Sequence, residues 1–199
     1  MTEQSNLVVF QRRTRYRLER FDDIKFSTQS YLVKDLLPRR GLAFYSGQSK
    51  AGKTFVCLDH CLKIASGAKV MGRKAKHMGI VYVAAEDPDG VRMRIDGWRQ
   101  KYPRGSTTPF ILIGQRVDLM DDASVDDLKG AIRDAVAQFD DDGFALGAIV
   151  FDTLAQCIPG ADENSSGDMG RALQVVQDFG DTFNTCLLYT SPSPRDRQK

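Results

Sequence analysis

Four short apolar runs, separated by segments of helical period, set the pattern of the chain. They are Gly41–Ser46 (GLAFYS), Gly79–Ala85 (GIVYVAA), Pro109–Ile113 and Ala145–Phe151 (ALGAIVF). Runs of this length without polar alternation predict strands buried on both faces. Between them, Lys53–Ala65 has helical spacing and stops before Gly67, a residue type that ends helices. Pro88–Lys101 opens with proline in its first turn and carries Val91, Ile95 and Trp98 on one face. Ser124–Phe139 is amphipathic, and Asp168–Phe179 is a last helix. Strand–helix alternation of this kind implies an α/β fold with a mostly parallel sheet and helices on both faces. Ligands of such sheets collect at the carboxyl ends of the strands. Residues 1–30 are mixed and polar, and are expected to form an N-terminal arm before a core at 31–185.

The first run leads into Gly47-Gln48-Ser49-Lys50-Ala51-Gly52-Lys53-Thr54, which matches G-x-x-x-x-G-K-[ST] between a predicted strand and a predicted helix. Glycines let successive backbone N–H groups turn toward phosphate, and the helix directs its positive dipole end the same way. In this pattern Lys53 carries its charge to the β- and γ-phosphates and the Thr54 hydroxyl ligates Mg²⁺. Phe55 follows directly and is grouped with the nucleotide-binding residues. ATP and Mg²⁺ are the expected cofactors.

Two further acidic residues stand at strand ends. Asp152 directly follows Ala145–Phe151 and is positioned to hold Mg²⁺ opposite Thr54, although an aspartate after a strand is also a common turn former. Glu86 follows Gly79–Ala85, with Asp87 beside it. Glu86 either polarises the water that attacks the γ-phosphate or supports the N-terminus of the next helix, for which Asp87 is the better capping residue. After Asp152 comes the polar stretch 159–170 (PGADENSSGDMG), either a γ-phosphate-sensing switch or a plain surface connection.

Composition changes this picture little. With 199 residues, 42% hydrophobic and 27% charged, the chain is an ordinary globular domain in size and make-up. No apolar run approaches the roughly 20 residues that cross a bilayer, and Met1–Phe10 lacks a secretory pattern, so the cytoplasm is the default location. The net charge of +2 comes from 28 basic and 26 acidic residues. Without the last fourteen residues the balance is 25 against 25, which gives no argument for nucleic acid. The local cluster Arg12, Arg13, Arg15, Arg17 and Arg20 is either a solvated flank or a contact for a phosphate backbone. Cys57 and Cys61 flank His60 one helical turn apart, but with Ile64 they read as a buried stripe rather than a metal site. Cys157 and Cys186 are isolated.

Taken together, YLVKDLLP, GQSKAGKT, VYVAAEDPDGVRMRIDGW and IVFDTLAQCIPGADENSSGDMG resemble the AAA/RecA-like ATPase domain of RepA-type replicative helicases over roughly residues 30–180. The resemblance implies a RecA-like core, often a hexameric ring on single-stranded DNA. It gives Lys53 and Thr54 the Walker A roles, Asp152 the Walker B role and Glu86 that of catalytic glutamate. It also predicts a further core strand and a His-His-Thr-Gly-Lys-like segment after the last helix. The chain instead continues as CLLYTSPSPRDRQK, which resembles translated sequencing-adapter read-through; 186–199 is therefore expected to be a non-native tail, leaving the core incomplete. Neither His60 nor His77 follows a predicted strand. Arg92, Arg94 and Arg99 are candidates for an arginine finger by proximity alone. A small-molecule kinase and a nucleotide-gated binding module remain as alternatives. The guanine-reading N-K-x-D of GTPases and the L-S-G-G-Q of ABC proteins do not occur.

Overall fold

A computed structural model describes residues 20–25, 30–48, 50–102, 107–160 and 165–192. Arg12, Arg13, Arg15 and Arg17, Ser49, the middle of the 159–170 stretch and the last seven residues lie outside them.

A small antiparallel pair, β1 (Tyr31–Val33) and β2 (Leu37–Pro38), precedes the main sheet. The sheet is built from β3 (Gly41–Gly47), β4 (Gly79–Ala84), β5 (Phe110–Ile113), β6 (Leu146–Asp152) and β7 (Cys186–Pro192). Its order is β3-β7-β6-β4-β5, and every pairing is parallel. The helices are α1 (Lys53–Ala65), α2 (Pro88–Lys101), α3 (Asp122–Asp141) and α4 (Ser166–Phe183).

The pleat divides the apolar residues between two layers. Ile80, Tyr82 and Ala84 of β4, with Ala148 and Val150 of β6, pack on Cys57, Cys61 and Ile64 of α1 and Val91 and Ile95 of α2. Val81 and Val83, with Ile149 and Phe151, pack on Leu128, Ile132 and Phe139 of α3 and Val176 and Phe179 of α4. Cys57, Cys61 and Ile64 are fully buried in that first layer. Among the described residues no helix is long and apolar enough to cross a membrane.

Two expectations need correction. The strand at Gly41–Ser46 is not buried on both faces: β3 lies at the sheet edge, and Phe44 is 60% exposed, stacked on Tyr189. The second concerns the stretch after Thr185. Cys186–Pro192, expected in a tail beyond the core, forms β7 between β3 and β6. Cys186, Leu187 and Leu188 are apolar and Tyr189 and Thr190 favour strands, so the run fills the slot; Pro192 falls at its last residue, where a missing N–H costs the ladder least.

Candidate functional site

Because all five strands run the same way, the ends of β3, β4 and β6 meet at one edge of the sheet. There β3 runs into the glycine loop and the loop into α1. Lys50 and Gly52 both adopt positive φ, 62° and 80°. At Gly52 this left-handed backbone is the reason for glycine, since a side chain there would meet nothing within 4 Å and only the backbone would resist it. Gly52 is also the N-cap of α1 and has no side chain to cap with, so first-turn N–H groups stay available to a ligand. Lys53 Nζ curls back to donate to Gly47 O at 2.9 Å and Gln48 O at 3.0 Å.

Thr54 Oγ1 donates to Asp152 Oδ1 at 3.1 Å, across 98 residues of sequence. Asp152 is almost fully buried at the end of β6, and its other partners are hydroxyls as well. Tyr82 donates to Oδ2 and Thr190 to Oδ1, each at 2.6 Å. Burial raises the Tyr82 phenol well above its usual range, so it acts as a donor. Cys57 is raised by its hydrogen bond with Cys61 and by burial; Cys157 is pushed up to about 12 by burial and the nearby Asp152 charge. Neither thiol supplies a thiolate.

Beside Asp152, the Ala85 N–H donates to Asp152 O at 2.9 Å and the Glu86 N–H to the same oxygen at 3.4 Å. This pins the backbone of Glu86 to the end of β6. Asp87 caps α2, accepting from Gly90 N at 2.9 Å, and pairs with Arg94. The Glu86 carboxylate has no hydrogen-bonding or ionic partner among the described residues and is exposed. The Arg94 guanidinium lies 4.7 Å over the ring of Phe55, which is 59% exposed. Lys50, Ala51, Gly52, Lys53, Thr54, Phe55, Glu86, Asp87, Val91, Arg94, Asp152, Thr153, Ala155 and Gln156 line one cavity of about 560 Å³.

These groups suit a triphosphate and a hard divalent cation. Among the described residues, the side-chain groups that meet there are oxygens, Thr54 Oγ1 and the Asp152 carboxylate, the donor type a hard cation takes. Among the same residues Lys53 is held by loop carbonyls, which phosphate oxygens can replace.

Of the residues singled out in the sequence, Lys53, Thr54, Glu86 and Asp152 line this one cavity. Sequence reading missed Tyr82 and Thr190 on Asp152, and Gln156 in the cavity wall. Tyr82 did leave a signal, as the one polar side chain inside GIVYVAA. Of the three arginines singled out, Arg94 reaches the cavity; Arg92 pairs with Asp89 on its own helix.

A strand, a glycine loop with left-handed turns and a helix that presents lysine and threonine to a neighbouring strand-end aspartate define a RecA-like P-loop nucleotide-binding domain. The AAA domain family model matches residues 11–191, and the chain belongs to that family of nucleotide-binding ATPases. No match occurs among curated proteins.

Proposed function

We propose that this domain hydrolyses ATP as the engine of a DNA-dependent motor of the RepA-type helicase kind. The observation that carries the ATPase reading is the Thr54–Asp152 contact at 3.1 Å, with Lys53 in the adjoining loop and Glu86 at the next strand end. The loop from Gly47 to Thr54 would receive the triphosphate, with Lys53 supplying positive charge to it. Thr54 and Asp152 would hold Mg²⁺, which supplies positive charge to the β- and γ-phosphates.

Glu86 is the general base. Its carboxylate has no partner among the described residues and shares the cavity with Lys53, so it would orient and deprotonate the attacking water. Phe55 and Arg94 form a flat, cationic face at the rim, suited to stack a nucleobase. The motor reading draws on the sequence resemblance, which extends through the stretch after Asp152; a ring of copies on single-stranded DNA goes with it.

The test is the ATPase rate with and without single-stranded DNA. Stimulation of several-fold supports the motor. Phosphate transfer to a small-molecule acceptor would replace it with the kinase reading. Nucleotide-dependent partner binding without turnover would replace it with a gated binding module.

A further inference from the structure

Tyr82 is buried in the middle of β4, in a strand whose other side chains are apolar. A phenol there must find an acceptor or leave a polar atom unsatisfied in the core. Its hydroxyl donates at 2.6 Å to Asp152 Oδ2 on the neighbouring strand β6, where Tyr82 is in register with Val150 and Asp152 with Ala84. Cys57, on the buried face of α1, belongs to the same packed layer. The two carboxylate oxygens thus have separate duties. Oδ1 faces Thr54 at the mouth of the cavity, while Oδ2 is turned into the core and fixed there by a neutral donor.

We infer that Tyr82 is the positioning residue that sets the rotation of the Asp152 carboxylate and so fixes the oxygen offered to Mg²⁺. The inference rests on the reading of Asp152 as a metal-holding residue. Without the phenol, Oδ2 loses its partner; Thr190 and Thr54 still donate to Oδ1, so the carboxylate can pivot about that oxygen and shift the face it turns to the cavity. Groups that orient a metal-holding side chain typically matter about 10- to 100-fold in metal affinity. Packing should change little on removal of one oxygen, because the Tyr82 ring keeps its neighbours in the α1 layer.

The experiment is a Mn²⁺ titration, followed by electron paramagnetic resonance with a non-hydrolysable ATP analogue, on the wild type, Tyr82→Phe and Asp152→Asn. Nucleotide affinity without metal and the melting temperature are measured alongside. Tyr82→Phe is expected to weaken Mn²⁺ binding about tenfold. Metal-free nucleotide affinity should stay within about twofold, because the glycine loop and Lys53 are untouched. Asp152→Asn is expected to abolish the Mn²⁺ signal, and adding Tyr82→Phe to it should change nothing more. A folded Tyr82→Phe protein with wild-type Mn²⁺ affinity overturns the role of Tyr82. Wild-type Mn²⁺ affinity in Asp152→Asn instead overturns the reading of Asp152 itself. Should Tyr82→Phe not fold, Tyr82→Met also lacks the donor, fills space flexibly and is read by the same two outcomes.

Discussion

The Tyr45 hydroxyl lies 2.9 Å from His60 Nδ1, joining the strand that enters the phosphate loop to the helix that leaves it. Burial raises the Tyr45 phenol far above its usual range, so it keeps its proton and shares a hydrogen bond with the imidazole. The His60 pKa is lowered from 6.5, chiefly by burial; the nearby Asp59 charge opposes this and Lys63 reinforces it. Below pH 6.5 the unfolded chain therefore binds a proton that the folded chain resists, and stability falls as the pH drops through that range. Chemical denaturation at pH 7.5 and pH 5 should show this loss, and His60→Gln should make the curve flatter. Equal pH slopes in the two proteins would count against it.

Lys53→Ala tests the cradle. Among the described residues the ammonium bonds to Gly47 O and Gln48 O alone, so its loss should leave the fold intact. Hydrogen bonds to charged groups contribute about 1.5–3 kcal/mol, which corresponds to ATP binding about 10- to 150-fold weaker. Calorimetric titration with ATP measures this directly. Unchanged affinity would remove the nucleotide assignment.

The rim stack is tested separately. Phe55 has most of its ring exposed beneath the Arg94 guanidinium, which makes it unlike a core residue. Stacking on a base contributes about 1–3 kcal/mol by alanine substitution. Phe55→Ala and Arg94→Ala should each raise KM for ATP by roughly fivefold or more on that scale, with kcat little changed. A fall in kcat at constant KM would place these residues in the chemistry instead of the base seat.

What was legible in the sequence follows from where local patterns and tertiary structure agree. GIVYVAA and ALGAIVF announce buried parallel strands because both faces of β4 and β6 are covered. The glycine loop is readable because its chemistry is contiguous. The Tyr31–Val33 and Leu37–Pro38 pair was not, since two or three residues show no period. Helix ends shifted for the same local reason. α4 starts at Ser166 because Ser165 accepts from Asp168 N, and α3 starts at Asp122 because Asp121 accepts from Ser124 N. Thr190 on Asp152 is a contact over 38 residues that only strand order reveals. β7 stayed hidden because CLLYTSPSPRDRQK, with Pro192 at the strand's last residue and Pro194 beyond it, resembles adapter read-through.

Packing across the sheet gives a further prediction. A Cβ at Gly147 would lie 2.7 Å from Met78 Cβ and 3.1 Å from Gly79 O, both close to backbone and unable to swing aside. Gly147→Ala should therefore force β4 and β6 apart locally and cost about 1–3 kcal/mol, as overpacking does. For a domain of this size that is a fall in melting temperature of about 2–12 °C. Gly130, on α3 with nothing near its Cβ position, is the control: Gly130→Ala should hold or raise the melting temperature.

Glu86 separates catalysis from structure most cleanly. The competing role for an acidic residue at this point is support of the α2 N-terminus, but Asp87 already caps that helix through Gly90 N and holds Arg94. Among the described residues Glu86 is tied in through its backbone alone, to Asp152 O, and Gln leaves that N–H unchanged. Glu86→Gln should accordingly melt at the wild-type temperature and bind ATP as well as the wild type. Loss of a general base costs about 10²- to 10⁴-fold in turnover. Phosphate release under saturating ATP and Mg²⁺, set beside the binding constant, reads both properties in one protein. A variant that turns over normally would exclude Glu86 from the chemistry, while one that melts early would return it to the helix.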